Sequence, residues 1–152
     1  LTDQELKLVI GRFLHRKRIE MEKEINDYSI EEIAYQAWIH DKSLGRMKRG
    51  ETMPYVFNLI HLSKTLHISW EFLDYLERND NITKGLGRYL RMKRYDTGRT
   101  KRNIAQLARL NENYLSDIER GKKMPSLKAL IKLSYHLHIP WELLDEIKKN
   151  MN

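Results

Sequence analysis

Apolar residues recur three and four apart from the start of the chain, and Leu6, Val9, Ile10, Phe13 and Leu14 line one face of a helix predicted over residues 2–26. Thr2 and Glu5 stand at capping-box spacing at its start, so hydroxyl and carboxylate can satisfy N–H groups that lack a partner inside the helix. Past Ile19 the run EMEKEIND is charged but helix-favouring, and is expected to face solvent or a partner. A second helix starts at Ser29, with Glu32 three residues on, and turns Ile33, Ala34 and Ala37 inward. Ile39 follows the turn, Leu44 and Met47 are the inner positions of the next helix, Gly50 ends it and Pro54 lies just beyond. A fourth helix over 55–65 buries Val56, Leu59 and Leu62, and a fifth begins near Ser69.

The pattern then returns. Thr100 caps a helix whose inner face is Ile104, Ala105 and Ala108, and Leu110 fills the turn. Asn111 caps the next helix, which turns Leu115 and Ile118 inward and leaves Glu112, Asn113, Ser116 and Asp117 outside, until Gly121 and Pro125 close it. A helix over 126–136 buries Leu127, Leu130 and Leu133, and the last begins near Pro140, whose missing N–H had no partner in a first turn. Gly50 and Gly121, Pro54 and Pro125, Ile33 and Ile104, Leu44 and Leu115, and Trp70 and Trp141 are all 71 residues apart. Upstream the shift is 76, pairing Gly11, Leu14 and Arg18 with Gly87, Leu90 and Arg94, so the first copy carries a five-residue insertion after its first helix. A repeat of this kind predicts two similar five-helix domains, over 1–78 and 86–152, joined by the polar linker NDNITKG at 79–85. No period-two alternation competes with the helical one, so the fold class is all-α.

Charge separates the copies. Residues 1–80 hold 12 Lys and Arg against 14 Asp and Glu, a net −2, whereas residues 81–152 hold 16 against 7, a net +9, so the chain's +7 arises from its second half. Clustered cations of this kind suit phosphate neutralisation as well as plain solvation. With 152 residues, 32% charged, there is material for two small globular domains. The absence of cysteine removes disulfides, zinc fingers and thiol nucleophiles. No apolar run approaches the roughly 20 residues of a membrane span, and no signal-like start is present, so the expected location is cytoplasmic and nucleoid-associated.

Between Leu86 and Asp145 the sequence resembles the Cro/CI-type (Xre-type) helix-turn-helix DNA-binding proteins. The residues that carry this are Leu86-Gly87, Leu90-Arg91, Arg94, Thr100, Ile104-Ala105, Ala108, Leu110, Tyr114-Leu115-Ser116, Ile118-Glu119-Arg120-Gly121 and Pro125. Two departures stand out: Lys101 where the family usually has a phosphate-contacting Gln, and Arg109 where its turn usually has Gly. The resemblance implies two tandem lambda-repressor-like domains that bind double-stranded DNA, with Lys101 and Arg102 at one phosphate strand and Arg120, Lys122 and Lys123 at the other. It places Asn111, Glu112, Asn113 and Asp117 towards bases, where Asn suits adenine and a carboxylate suits cytosine N4, although Asn111 equally suits a plain cap and Asp117 a solvated charge. Arg94 and Glu119 would form a partly buried structural ion pair.

The matching first-copy positions are His40, Asp41, Lys42, Ser43 and Arg46, of which Lys42 and Arg46 suit guanine O6/N7, with Lys48 and Arg49 as candidate phosphate contacts. Here Ile30 replaces the phosphate-contacting residue, Trp38 the turn glycine, and Lys48 the glutamate that would pair with Arg18. The two copies should therefore prefer different half-sites.

Competing chemistry is thin. His61, His67, His136 and His138 have no carboxylate at zinc-like spacing, so neither a metal nor any other cofactor is expected. No nucleophile elbow, phosphate loop or acidic trio points to an enzyme. Trp38, Trp70 and Trp141 are expected in the cores. The expected function is sequence-specific transcriptional regulation, as a repressor of a mobile-element promoter on a plasmid or phage, acting as a homo-oligomer and opposed by an anti-repressor protein. The alternative is a protein-interaction module of antitoxin or anti-repressor type, in which only the second domain binds DNA.

Overall fold

The computed structural model describes residues 1–24, 29–76 and 81–151. Among them are ten α-helices and no strand: α1 (Asp3–Glu24), α2 (Ile30–Ala37), α3 (Asp41–Lys48), α4 (Val56–Thr65), α5 (Glu71–Tyr75), α6 (Ile82–Thr97), α7 (Lys101–Ala108), α8 (Glu112–Glu119), α9 (Leu127–His136) and α10 (Glu142–Lys149). No helix of the described residues is long and apolar enough to cross a membrane. Ile25 and Asn26 of the first expected helix, and Asn79 and Asp80 of the expected linker, lie outside the described residues. The rest of that linker is helical from Ile82, because Asn81 accepts a hydrogen bond from the Lys84 N–H at 3.2 Å and so starts α6 earlier than its polar composition suggests.

Capping decides most helix starts. Thr2 accepts from the Glu5 N–H at 3.1 Å while the Glu5 carboxylate accepts from the Thr2 N–H at 2.7 Å, a complete capping box. Ser29 and Thr100 each accept at 3.1 Å from the residue three positions on. Gly50 and Gly121 both adopt φ +73°, which reverses the chain after α3 and α8 at little steric cost.

Two compact units form, one from Leu1–Ser69 with Trp141–Asn152, the other from Trp70–Pro140. This division differs from the contiguous one at 79–85. The fifth helices are exchanged: α10 completes the first unit and α5 the second. In the first unit, Leu143, Leu144 and Ile147 of α10 are buried, as are Ile10, Phe13 and Leu14 of α1. Lys17 meets Glu142 at 2.9 Å and the Arg16 guanidinium meets Glu146 at 3.1 Å, while the Glu142 N–H donates to the Ser69 carbonyl at 2.8 Å. In the second unit the Tyr89 hydroxyl of α6 donates to Glu71 of α5 at 2.8 Å, Lys93 adds a 3.0 Å contact, and the Phe72 ring lies 5.4 Å from that of Tyr89.

One side-chain pair distinguishes this arrangement from the contiguous one. Arg16 finds Glu146 on α10, whereas the equivalents of these two positions in the repeat are Met92 and Tyr75, so the opposite pairing would set Arg16 beside a tyrosine and Glu146 beside a methionine. The contiguous reading missed it because a repeat looks the same whichever copy its last helix joins.

Candidate nucleic-acid interface

In the second unit α7 and α8 meet through buried Ile104, Ala105, Ala108, Leu115 and Ile118, and the small alanines allow close crossing. Arg109 takes the left-handed turn position at φ 55°, where a side chain costs about 1 kcal/mol relative to Gly. Asn111 caps α8 with one oxygen, accepting from the Asn113 N–H at 2.8 Å and the Tyr114 N–H at 3.3 Å. This occupies its acceptor and makes it a positioning residue for α8. Glu112 and Asn113 are exposed on the first turn of α8, with Ser116 and Asp117 half-exposed one turn on.

Behind them stands a rigid brace. The Arg94 guanidinium grips both oxygens of Glu119, Nε to Oε2 at 2.8 Å and Nη2 to Oε1 at 2.9 Å, with the residues 7% and 3% exposed. Its third nitrogen donates to the Arg99 carbonyl at 3.0 Å, tying the α6–α7 turn to the end of α8. A Cβ at Gly87 would lie 2.3 Å from the Ile118 carbonyl, so α6 touches the α8 backbone there and only glycine fits.

Cations flank the exposed face. Arg102 is exposed and Lys101 half-exposed in the first turn of α7, and Arg120, Lys122 and Lys123 follow α8. Asp117 draws on that group: Arg120 donates to it at 2.9 Å and Lys123 lies 3.7 Å away. The Arg120 hydrogen bond, with Lys123 and Lys122 nearby, holds the Asp117 carboxyl below the usual carboxylate range. Tyr114 belongs to the motif read from sequence but was given no role there, and its hydroxyl accepts from the Ser126 N–H at 3.0 Å and pins the basic loop to α8. Its signal is the tyrosine of the Tyr114-Leu115-Ser116 motif.

The first unit repeats the geometry with altered chemistry. Ile30, Glu31 and Glu32 open α2 where Lys101, Arg102 and Asn103 open α7, so that end is apolar and acidic. His40 caps α3 by accepting from the Lys42 N–H at 3.3 Å, and Asp41 accepts from the same N–H at 2.9 Å. Both side chains are thereby engaged at the helix start. Lys42 and Arg46 remain exposed, Ser43 is half-exposed, and Arg49 pairs with Glu51 at 2.9 Å. A shallow groove of about 300 Å³ runs between Ile30, Asp41, Lys42, Gly45, Arg46 and Arg49. Lys48 lies apart from this face: it is half-buried, and burial followed by the Arg18 charge holds its ammonium below the usual lysine range.

Trp38 departs from the expected core. It occupies the left-handed position after α2 at φ 60°, and is 88% exposed beside Tyr35 at 81%. Trp70 and Trp141 are buried. His67 and His138 both sit at φ 55°, which explains their recurrence as turn residues, since histidine is among the side chains that tolerate this region. Burial is the leading cause that lowers the pKa of His61 and of His136. Among the described residues no three His, Asp or Glu cluster as a metal site would require.

The family described as a helix-turn-helix domain matches residues 85–147, spanning α6 to α10. Over 59 residues the chain is 42% identical to the transcriptional regulator ClgR of Mycobacterium tuberculosis, in its CDC 1551 / Oshkosh and H37Rv strains, covering 39% of this chain and 53% of the relative. The chain thus spans about half the length of the curated relatives it matches. No solved structure gives a significant match.

Proposed function

We propose that this chain is a DNA-binding transcriptional regulator of Cro/CI type, with the α7–turn–α8 segment of the second unit as its principal reader. The observation that carries the reading is the exposed polar turn of α8, capped by Asn111, braced by Arg94–Glu119 and flanked by Lys101, Arg102, Arg120, Lys122 and Lys123, within the stretch that matches a helix-turn-helix domain. Similarity to a protein named as a transcriptional regulator supports the same reading. In the complex, α8 enters the major groove, Glu112 and Asn113 face base edges, and the flanking cations neutralise phosphates on either side.

The first unit is a second reader, tandem with the first and lambda-repressor-like in its helix order, with Lys42 and Arg46 turned to guanine. Two unlike readers suit an asymmetric operator, and occupancy of such a site represses a promoter, that of a mobile element in our reading. Footprinting of the full chain on DNA flanking its own gene tests this. A protected site whose affinity falls with salt supports the proposal, and uniform binding to all duplexes refutes it.

A second reading is favoured by one observation, the exposed Tyr35–Trp38 pair on the first unit beside Glu31 and Glu32. An aromatic surface of this kind fits a protein partner. In that case Arg46→Ala leaves base preference untouched, and only the second unit reads DNA.

A further inference from the structure

The brace of the second unit has no counterpart in the first. Arg18 occupies the place of Arg94, but Lys48 stands where Glu119 would be, so the junction of α1 and α3 holds two cations, near enough that the Arg18 charge lowers the Lys48 pKa. The helices are in contact there: a Cβ at Gly11 would lie 2.7 Å from the carbonyls of Met47 and Lys48. Arg18 is pulled sideways by Glu22 of its own helix, one turn on, through one terminal nitrogen. Its Nε is enclosed and lacks a hydrogen-bond partner. His15, one turn earlier, has its pKa lowered by burial first and then by Lys48 and Arg18, with Glu22 opposing. Among the described residues Glu22 is the carboxylate beside Arg18 and Lys48, and this set carries a positive excess where its twin is neutralised by two short hydrogen bonds.

We propose that this junction is a binding site for a tetrahedral oxyanion of the phosphate class, held between the Arg18 guanidinium and the Lys48 ammonium. An oxygen of such an anion supplies the acceptor that Arg18 Nε lacks, and a second charge-assisted bond comes from Lys48. The anion restores the local neutrality that Glu119 provides in the other unit. Its source is either free inorganic phosphate or a DNA backbone phosphate. The latter rests on the proposed reading of the first unit, since Lys48 closes the helix that presents Lys42 and Arg46; the site itself does not.

The test uses the full chain. Melting is followed in sodium phosphate and in sodium chloride at matched ionic strength for the parent, Lys48→Glu and Lys48→Met, and the His15 ring is titrated by NMR in both salts. Phosphate should raise the parent melting temperature saturably, as a ligand of the folded state does. Lys48→Glu, which rebuilds the carboxylate partner, should melt above the parent in chloride and lose the phosphate response, and Lys48→Met should lose the response as well. Filling the site should move the His15 midpoint upward, because the anion offsets Lys48 and Arg18. A parent without a specific phosphate response, or a response retained by both variants, overturns the proposal. A second arm measures binding to duplex DNA against salt. A log–log slope lower by about one unit in Lys48→Met assigns the site to a backbone phosphate, and an unchanged slope alongside the melting response assigns it to free phosphate.

Discussion

The Arg16 guanidinium donates to both carboxylate oxygens of Glu146, at 3.3 and 3.1 Å, although 130 residues separate them in the chain. This contact marks the exchange of fifth helices, and its consequence is that neither repeat, cut out by sequence, contains the helix that closes its own core.

Leu144→Ala tests the exchange. Its side chain is buried on α10 within the first unit, and losing it should cost about 2–5 kcal/mol. Amide hydrogen exchange should accelerate in α1 to α3 and leave α6 to α8 protected. The reverse distribution would mean that α10 closes the second unit instead.

Glu119→Ala should be among the most damaging substitutions remote from the exposed face. Arg94 would keep its charge in a buried place with its two carboxylate contacts gone, at a cost of about 3–5 kcal/mol. Denaturant unfolding measures this directly, and unaltered stability with weakened DNA binding would make Glu119 a contact residue.

Acid should loosen the second unit through Glu71. Hydrogen bonds from Tyr89 and then Lys93 hold its carboxyl below the ordinary 4.5, so their stabilisation is present above that value and is lost as pH falls through the depressed one. Glu71→Gln should melt lower at neutral pH and show a shallower decline of melting temperature below pH 4.5. Parallel pH profiles would count against this origin.

The flanking cations make opposite predictions by position. Lys101→Ala or Arg102→Ala should weaken binding to every duplex and lower the salt slope by about one unit. Asp117→Asn should release Arg120 and Lys123 from a competing carboxylate and tighten non-specific binding, with a steeper slope. Equal slopes for all three variants would remove this face from the phosphates.

Arg46→Ala and Asn113→Ala should each relax preference at separate base positions, at roughly 1–3 kcal/mol apiece. Base-preference profiles of the two full-length variants distinguish two readers from one.

Helix content, caps and both turn-ending glycines were legible in the sequence, because each depends on neighbours within a few residues: Ser29 with Glu32, Thr100 with Asn103, Gly50 and Gly121 at positive φ. The polar outer face of α8 was legible for the same reason, since helical periodicity alone separates Glu112 and Asn113 from Leu115 and Ile118. Tertiary structure decided the partners of each face. Arg16 meeting Glu146, 130 residues away, marks which first helix receives α10, and local pattern holds no record of such a meeting. The engagement of Asp117 by Arg120 and Lys123 and the exposure of Trp38 are likewise consequences of where packed helices end. Short-range hydrogen bonding and periodicity wrote the helices into the sequence, and long-range burial and charge pairing arranged them.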